Sequence, residues 1–272
     1  MMHNVKKILK LPVIVLFVLM LTIIYGIWRD HQPINIKQSR HQPLIIGHQG
    51  QDYTLANYNV ALKSGVQYID QKVFLSQDHH LVVANDNNLN QATGQNINIT
   101  DSNYRTIQHH KYHNGESVHT LNQIFDKYGV MTNYVIAIQE QNNHHELLER
   151  GIISSIRRNH LTNHVLLQST DVNSLSYMHQ SLPQAPEILQ IKNTNQSKVD
   201  WQKTVSQLPA AVQFIALNQS LVNRETVSFL NKHHKMLMVN DSNSKSDFVH
   251  AKSIGAQAIV TDNTKAATIY FK

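Results

Sequence analysis

Apolar strand-type runs alternate with helical patterns along most of this chain, and this alternation limits the folds open to it. Eight such runs fall between Leu44 and Val260. Repeated βα units over roughly 220 residues predict an α/β protein whose parallel sheet closes into a (β/α)8 TIM barrel. A doubly wound sheet would usually carry a glycine-rich nucleotide loop after its first strand, and Gly47-His48-Gln49-Gly50 is not such a loop.

The predicted strands are short apolar runs, as is typical of buried strands, and polar residues follow several of them. A polar stretch at Lys192–Lys198 is predicted to be a loop at the end of the fifth barrel strand. The predicted barrel strands are Leu44–Ile46, Tyr68–Leu75, Tyr134–Ile138, Val165–Ser169, Ile188–Ile191, Val212–Leu217, Met236–Val239 and Ala258–Val260.

The N-terminal extension contains an uncharged apolar run, Leu11–Trp28. As a helix these residues would cover about 27 Å, close to the hydrocarbon thickness of a bilayer. Three lysines precede the run and a single arginine, Arg29, follows it, which predicts a cytoplasmic N-terminus. We therefore expect residues 1–10 in the cytoplasm, a transmembrane helix at 11–28, a stalk at 29–43 and an extracellular barrel domain at 44–272. A cleaved signal peptide is the alternative, but no small-x-small cleavage site follows the run.

Charge and cysteine content exclude some classes of function. The chain has no cysteine, which excludes disulfides and thiolate metal sites. Its net charge is +6, but residues 1–43 hold six Lys and Arg against one acid, which leaves 18 basic and 17 acidic residues in the domain. The basic balance therefore indicates membrane topology and not a nucleic-acid surface.

The chain is rich in histidine, with 18 such residues. We interpret most of them as a solvated polar surface, with pH sensing as the alternative. His109, His110 and His113 could suggest a metal site, but no carboxylate accompanies them, and a solvated loop is favoured.

Residues 44–86 carry the most informative motifs. After the first strand stand His48-Gln49-Gly50; residues 65–78 read GVQYIDQKVFLSQD, and residues 82–86 read VVAND. This stretch resembles the glycerophosphodiester phosphodiesterase family, whose members have His-Arg-Gly, Gly-Ala-Asp-x-Ile-Glu-x-Asp-Val-x-Leu-Thr-x-Asp and Val-Val-x-His-Asp at these places. The resemblance continues to residues 255–262, GAQAIVTD, which follow the family's Gly-Val-Asp-Gly-Ile-Ile-Thr-Asp.

The resemblance implies a PLC-like phosphoric diester hydrolase that converts glycerophosphodiesters to glycerol 3-phosphate and an alcohol. In the family, a divalent cation such as Ca²⁺ or Mg²⁺ is held by three carboxylates, two histidines move protons, and an arginine clamps the phosphate. A lysine stands two residues after the third carboxylate. Two of these positions are close to the family pattern: His48 matches the first histidine, and Asp70 stands for the first metal carboxylate. The other positions hold Gln49 for the arginine, Lys72 and Gln139 for the remaining metal carboxylates, Asn85 for the second histidine and Gln141 for the lysine.

These replacements change the chemistry that the site can support. The formal charge of the implied metal ligands goes from about −3 to about 0, so a divalent ion has little reason to stay. Loss of one general acid or base typically lowers a rate by about 10²–10⁴-fold. The sequence therefore predicts a pseudoenzyme, whose hydrolysis is lost or strongly weakened. No cofactor is expected, with Ca²⁺ or Mg²⁺ required if the family activity survives.

Two alternatives remain open. The chain could be an active enzyme with a rearranged site built on His48, Asp70 and Asp86. It could also be a binding or scaffold module for anionic phosphodiester ligands, such as lipid head groups or teichoic acid, or for a membrane partner. Lys72 would then bind a phosphate in place of the metal, and the ligand-binding residues would be Gln49, Lys72, Asp86 and Gln141. The simplest structural interpretations are a His48 left in a cavity and an Asp70–Lys72 ion pair along one strand face.

Overall fold

The computed structural model describes residues 15–25, 42–48, 52–139, 146–192 and 198–272, except for the side chains of residues 198–200. Strands and helices alternate from Leu44 onwards, as the sequence predicts. The nine strands are β1 (Leu44–Gly47), β2 (Tyr68–Leu75), β3 (Leu81–Val83), β4 (Asn133–Ile138), β5 (Val165–Ser169), β6 (Glu187–Gln190), β7 (Val212–Asn218), β8 (Met236–Asn240) and β9 (Ala258–Thr261).

Eight of these strands form a closed parallel barrel, which confirms the predicted fold class. The strands follow the order β1, β2, β4, β5, β6, β7, β8 and β9, and β9 pairs with β1 to close the cylinder. The remaining strand, β3, pairs antiparallel with the end of β2. All carboxyl ends of the parallel strands therefore meet at one rim of the barrel, where this fold places its functional residues.

Helices that follow the barrel strands pack on the outside of the barrel, and several of them begin or end at recognisable signals. Helix α5 starts with a capping box of Thr120 and Gln123, and α2 ends at Gly65, which adopts a left-handed conformation with φ of 88°. The helical segments are α1 (residues 15–25), α2 (Leu55–Ser64), α3 (Asn90–Thr93), α4 (Tyr104–Ile107), α5 (Leu121–Tyr128), α6 (Leu147–Arg158), α7 (Val172–Ser181), α8 (Lys198–Ser206), α9 (Arg224–Lys232), α10 (Lys245–Ile254) and α11 (Thr264–Phe271).

Two apolar layers hold the barrel together. A larger one lies between the strands and the helices and includes Ile69, Ile136 and Leu167. A smaller one fills the inside of the cylinder, because successive side chains of a strand point to opposite faces. The inner layer consists of Leu44, Ile46, Val135, Leu166, Ile188, Phe214, Ala216, Met238 and Ala258.

The N-terminal predictions fall mostly on residues that the structure does not describe. Residues 15–25 are helical, within the predicted transmembrane helix at Leu11–Trp28, and their large apolar side chains are exposed. Among the described parts of the chain, no helix combines the length and the apolar character needed to cross a bilayer. The rest of the predicted span, and most of the stalk, lie outside the described residues.

Candidate functional site

His48 follows β1 directly and therefore lies at the carboxyl rim of the barrel. The preceding residue, Gly47, packs closely against two helices. A Cβ atom at Gly47 would lie 3.2 Å from Ala61 Cβ and 3.2 Å from Thr264 Cγ2, so a side chain there would push α2 and α11 away from β1. The backbone N–H of His48 donates to the carbonyl of Thr261 at 2.9 Å, which continues the β1–β9 pairing by one residue.

The imidazole of His48 lies between two carboxylates. Its Nδ1 is 2.8 Å from Asp262 Oδ1, and its Nε2 is 3.9 Å from Asp70 Oδ2. Burial lowers the pKa of His48, and the Lys72 charge also lowers it, but the hydrogen bond to Asp262 and the charge of Asp70 outweigh both and raise the pKa above 6.5. His48 is therefore a partnered histidine with an increased share of the charged form near neutral pH, and not an isolated residue left in a cavity.

Asp262 is a site residue that the sequence analysis did not assign, although it noted the Thr261-Asp262 motif. The Asn243 side chain holds it in place: Asn243 Oδ1 accepts from the backbone N–H of Asp262 at 2.8 Å, and Asn243 Nδ2 lies 3.4 Å from Asp262 Oδ2. An acid directly after the last barrel strand is adjacent to the first strand once the barrel closes. The predicted closure of the barrel could therefore have identified Asp262 as a neighbour of His48.

Tyr53 is a second residue that the sequence analysis missed. Its hydroxyl donates to Asp70 Oδ2 at 2.9 Å, and its ring contacts the His48 ring edge-on, with centroids 5.8 Å apart. Both Tyr53 and Asp70 are buried. Burial and the neighbouring Asp70 charge raise the pKa of Tyr53 well above 10.0, so the hydroxyl stays protonated and keeps donating.

Lys72 contacts Asn85, and the predicted Asp70–Lys72 ion pair is wrong. Lys72 Nζ donates to Asn85 Oδ1 at 2.7 Å, and Asn85 Nδ2 donates to Asp86 Oδ2 at 2.8 Å. Residues i and i+2 of a strand stand about 6.7 Å apart along its axis, so two charges on one face do not meet unless a side chain bends towards the other. Tyr53 holds Asp70 back, and the β2–β3 hairpin brings Asn85 within reach of Lys72.

Of the remaining predicted site residues, the structure describes Gln139 but not Gln49 or Gln141. Gln139 follows β4, and its Nε2 lies 3.4 Å from the carbonyl of Ala137 on the same strand. Gln49 and Gln141 lie outside the described residues, so their predicted contacts with a ligand stay predictions.

The three positions that correspond to the family's metal ligands do not suit a divalent cation. Hard cations prefer several carboxylate oxygens, whereas these positions hold Asp70, Lys72 and Gln139. One Asp70 oxygen already accepts a hydrogen bond from Tyr53, and the Lys72 ammonium would repel a cation. Within the described ranges, no group of three or more His, Asp and Glu side chains has the geometry of a metal site.

The fold and this site define the class of protein: an α/β barrel with a histidine, carboxylates and a lysine at its carboxyl rim, located within β2 and directly after β1 and β9. The sequence matches the model of the glycerophosphoryl diester phosphodiesterase family over residues 42–266. The chain therefore belongs to that family.

Individual relatives agree with this assignment. A glycerophosphodiester phosphodiesterase of Bacillus subtilis is 23% identical over 249 residues, covering 80% of this chain and 83% of that protein. A phosphodiesterase of Oleispira antarctica, solved with the product sn-glycerol-3-phosphate, superposes with a TM-score of 0.69 at 19% identity, covering 84% of this chain and 96% of that one. A glycerophosphodiester phosphodiesterase of Parabacteroides distasonis gives a TM-score of 0.70 at 14% identity, covering 86% and 98%. The two structural matches support the fold.

Proposed function

We propose that this protein is a membrane-anchored, extracellular phosphodiester-binding barrel in which the family's metal-dependent hydrolysis is lost or strongly weakened. The observation that carries the proposal is Lys72, whose ammonium lies beside Asn85 where the family has a metal carboxylate and a histidine. A fixed cation can hold a phosphate at this place, but it cannot activate a nucleophile as a bound metal does.

The loss of hydrolysis follows from two missing chemical roles. Asn85 cannot transfer a proton near neutral pH, so the second acid or base is absent, which typically lowers a rate by about 10²–10⁴-fold. The metal ligand set has one carboxylate, Asp70, whose neighbour on the same face is a cation. Without the metal, Lys72 and His48 are the groups among the described site residues that can compensate the negative charge developing on the phosphate oxygens during attack.

Phosphate binding is supported by the donors that remain. A lysine ammonium has three N–H donors, and Asn85 uses one of those of Lys72. The raised pKa of His48 increases the positive charge beside Lys72 near neutral pH. Lys72 and His48 can therefore contact two oxygens of one phosphate, and Gln49 and Gln141, which lie outside the described residues, are further candidate donors. Asp86 is a candidate contact for a hydroxyl of the ligand, because an ionised carboxylate accepts and does not donate.

A second function is favoured by one observation, the 2.8 Å contact between His48 and Asp262. A carboxylate that orients a histidine in this way is typical of sites in which the histidine acts as a general base. Under this alternative, His48, Asp70 and Asp86 support slow hydrolysis that does not need a metal.

The membrane anchor and the outward orientation are also part of the proposal. They are supported by the uncharged Leu11–Trp28 run and by Lys6, Lys7 and Lys10 before it. The near-balanced charge of residues 44–272 gives no support to a nucleic-acid partner.

The test uses the full-length protein, purified in a neutral detergent from the membrane fraction. Glycerophosphocholine and glycerophosphoglycerol are incubated with Ca²⁺, Mg²⁺ or Mn²⁺ and separately with EDTA, and binding of inorganic phosphate is measured by calorimetry. We expect no turnover above buffer, and an affinity for phosphate that falls by about tenfold or more in Lys72→Gln, because the fixed cation is removed. Lys63→Gln, at an exposed lysine of α2, is the matched control and should bind like the wild type.

Three results would contradict parts of this proposal. Metal-dependent turnover that is lost in His48→Ala would show a rebuilt active site. Turnover in EDTA that is lost in both His48→Ala and Asp262→Asn would favour the metal-independent alternative. Recovery of the chain in the soluble fraction after alkaline extraction would argue against the anchor.

A further inference from the structure

Charged side chains of the helices are sorted to the two ends of the barrel. A helix that leads into a barrel strand ends at the amino end of the barrel, because the strand begins there. At the opposite end, the first turns of α6, α9 and α10 hold the acids Glu149, Glu225 and Asp247. At the amino end, the last turns of six helices hold exposed lysines and arginines. We name this set the basic end, and its members are Lys63, Lys127, Arg157, Arg158, Lys203, Lys232 and Lys252.

The positive charge of the basic end is a matter of position, since residues 44–272 as a whole hold 18 basic and 17 acidic residues. Among the described last turns of these six helices, Asp126 in α5 is the single exposed acid. No member of the basic end forms an ion pair with a described carboxylate, and the ion pairs found there involve histidines. Each cation complements the dipole of its own helix. Because the six helices end on the same side, their charges also add to one positive surface.

An apolar tip protrudes from the same end. Val130 and Met131 lie in the short 3₁₀ turn before β4 and are 61% and 76% exposed, and Met131 is the most exposed large apolar side chain in the described part of the chain. The neighbouring Asn133 donates to the carbonyl of Gln67 at 3.1 Å, and its Oδ1 lies 3.0 Å from His164 Nδ1. These contacts place the tip between the segments that lead into β2 and β5, and therefore between cations of α2 and α6.

The N-terminal extension joins the barrel at this end as well. Leu44 begins β1, and its backbone N–H donates to the carbonyl of Gln257, directly before β9. The predicted span ends at Trp28, so residues 29–43 connect it to the barrel, and at full extension they reach roughly 50 Å. An anchor in the bilayer would thus hold the basic end nearer to the lipid than the carboxyl rim.

We propose that the basic end docks on the anionic surface of the bilayer that holds the anchor, with Met131 at the depth of the lipid head groups. Charge complementarity favours head groups of net negative charge, and an apolar tip among cations is suited to the interface. The proposal rests on the proposed anchor. It adds an orientation: the rim with His48 and Lys72 faces away from this bilayer and takes its ligands from the aqueous side, not from the head groups below it.

The experiment measures the orientation of the full-length protein in lipid nanodiscs. The chain has no cysteine, so Ser246→Cys and Ser253→Cys each provide one labelling site. Both positions are exposed on α10, at its first and last turns and about 10 Å apart along the axis. Each is labelled with a fluorophore, and quenching by a lipid with a nitroxide on its head group is recorded.

We expect the Ser253 label to be quenched at least about twofold more than the Ser246 label in discs that contain phosphatidylglycerol. The ratio should approach one in discs of phosphatidylcholine alone and in about 0.5 M salt, because the attraction is electrostatic and screened. These two comparisons leave the charges of the protein unchanged, so they do not depend on the folding of a charge variant.

Charge variants test whether the basic end is responsible. A cation at an anionic lipid surface typically contributes about fivefold to binding, so loss of three should lower the ratio of docked to free barrel by about 100-fold. The test variant combines Lys63→Gln, Lys127→Gln and Arg158→Gln, and it should lose the difference between the two labels. The matched control makes the same change at three exposed cations of first turns, Arg224, Lys245 and Lys265, and should keep the difference.

Met131→Gln tests the apolar tip without changing a charge. It should reduce the quenching of the Ser253 label in phosphatidylglycerol discs and leave the label unchanged in phosphatidylcholine discs. A role of the cations in helix stability alone would lower the unfolding free energy of the triple variant but would give no dependence on the lipid.

Three outcomes would overturn the proposal. Equal quenching of the two labels in phosphatidylglycerol discs, or a difference that persists in neutral lipid and high salt, would overturn the docking and leave the anchor in place. A rise in the anisotropy of the Ser253 label on addition of a glycerol phosphate polymer, without dependence on lipid, would assign the basic end to a soluble polyanion. Failure of the chain to stay with the discs on gel filtration would overturn the anchor of the proposed function as well.

Discussion

His48 shows how single residues at the rim depend on their neighbours. Its two ring nitrogens face different carboxylates, Asp262 at 2.8 Å and Asp70 at 3.9 Å. Asp70 also accepts a hydrogen bond from Tyr53, whereas Asp262 forms the direct contact with the ring. The stronger influence on the charge of His48 should therefore come from Asp262.

Asp262→Asn should lower the pKa of His48. The substitution removes both the charge-assisted hydrogen bond and a nearby negative charge, while burial and Lys72, which lower the pKa, remain. An NMR titration of histidine ring protons measures the change, with the His48 signal assigned by its loss in His48→Gln. Asp126→Asn, at an exposed position of α5, should leave the titration unchanged. An unchanged His48 pKa in Asp262→Asn would show that the contact does not form in solution.

At the scale of elements, the start of α2 supports the site. Thr54 caps the helix by accepting from the backbone N–H of Asn57, and Glu116 accepts from the backbone N–H groups of Leu55 at 2.7 Å and Ala56 at 3.2 Å. These bonds satisfy helix donors that have no partner within the helix. They also fix the residues beside Tyr53, whose hydroxyl contacts Asp70.

Glu116→Gln should destabilise the protein by about 1 kcal/mol at pH 7, because a carboxylate at a helix N-terminus becomes neutral. Burial raises the pKa of Glu116, but the bonds from Leu55, Ala56 and Asn114 outweigh it and lower the pKa below 4.5. The stabilisation is therefore present above pH 4.5 and is lost as the pH falls through the folded-state pKa. Urea denaturation of wild type and variant at pH 7 and pH 3.5 measures both effects. A difference that is equal at the two pH values would rule out the carboxylate as its origin.

At the scale of the whole molecule, the two ends of the barrel differ in their use of charge. Glu187 begins β6 at the amino end and is completely buried. Its carboxylate oxygens accept no hydrogen bond from the described residues, although His179 Nδ1 lies 3.1 Å away. Lys235 donates to the carbonyls of Pro209 and Val212 nearby. This end of an α/β barrel usually serves stability.

The free energy of unfolding should decrease as the pH rises from 4.5 towards 7, through the contribution of Glu187. Burial raises its pKa to about 7 despite the opposing charge of Lys235. The folded state then binds a proton that the unfolded state has released, so stability is greatest below pH 4.5 and falls by up to about 1.4 kcal/mol per pH unit in this window.

Glu187→Gln should remove this pH dependence, because the amide does not titrate. The measurement is the difference in unfolding free energy between variant and wild type at pH 5 and pH 7, from urea denaturation. The variant should gain stability relative to the wild type at pH 7, whereas Asp126→Asn should show no such change. A difference that does not depend on pH would contradict the raised pKa.

The sequence alone determined most of the elements. The apolar runs predicted every parallel strand to within about two residues, because buried strands in this fold have a local signature. Helix α11 was missed, since its threonines and aromatic residues have weak helix propensity and packing of Ala267 and Phe271 stabilises it instead. Helix α8 was missed because its polar start continues the polar stretch predicted as a loop.

The tertiary structure decided which polar side chains meet. The sequence identified His48, Asp70, Lys72 and Asn85 through motif positions, but it paired Asp70 with Lys72 on the basis of spacing. Barrel closure brings Asp262 to His48 across 214 positions, and the β2–β3 hairpin brings Asn85 to Lys72. Local periodicity reports which face a residue occupies, whereas contacts between distant strands depend on the order and register of the whole sheet. For that reason the sequence could predict which polar residues form the site, but not the hydrogen bonds between them.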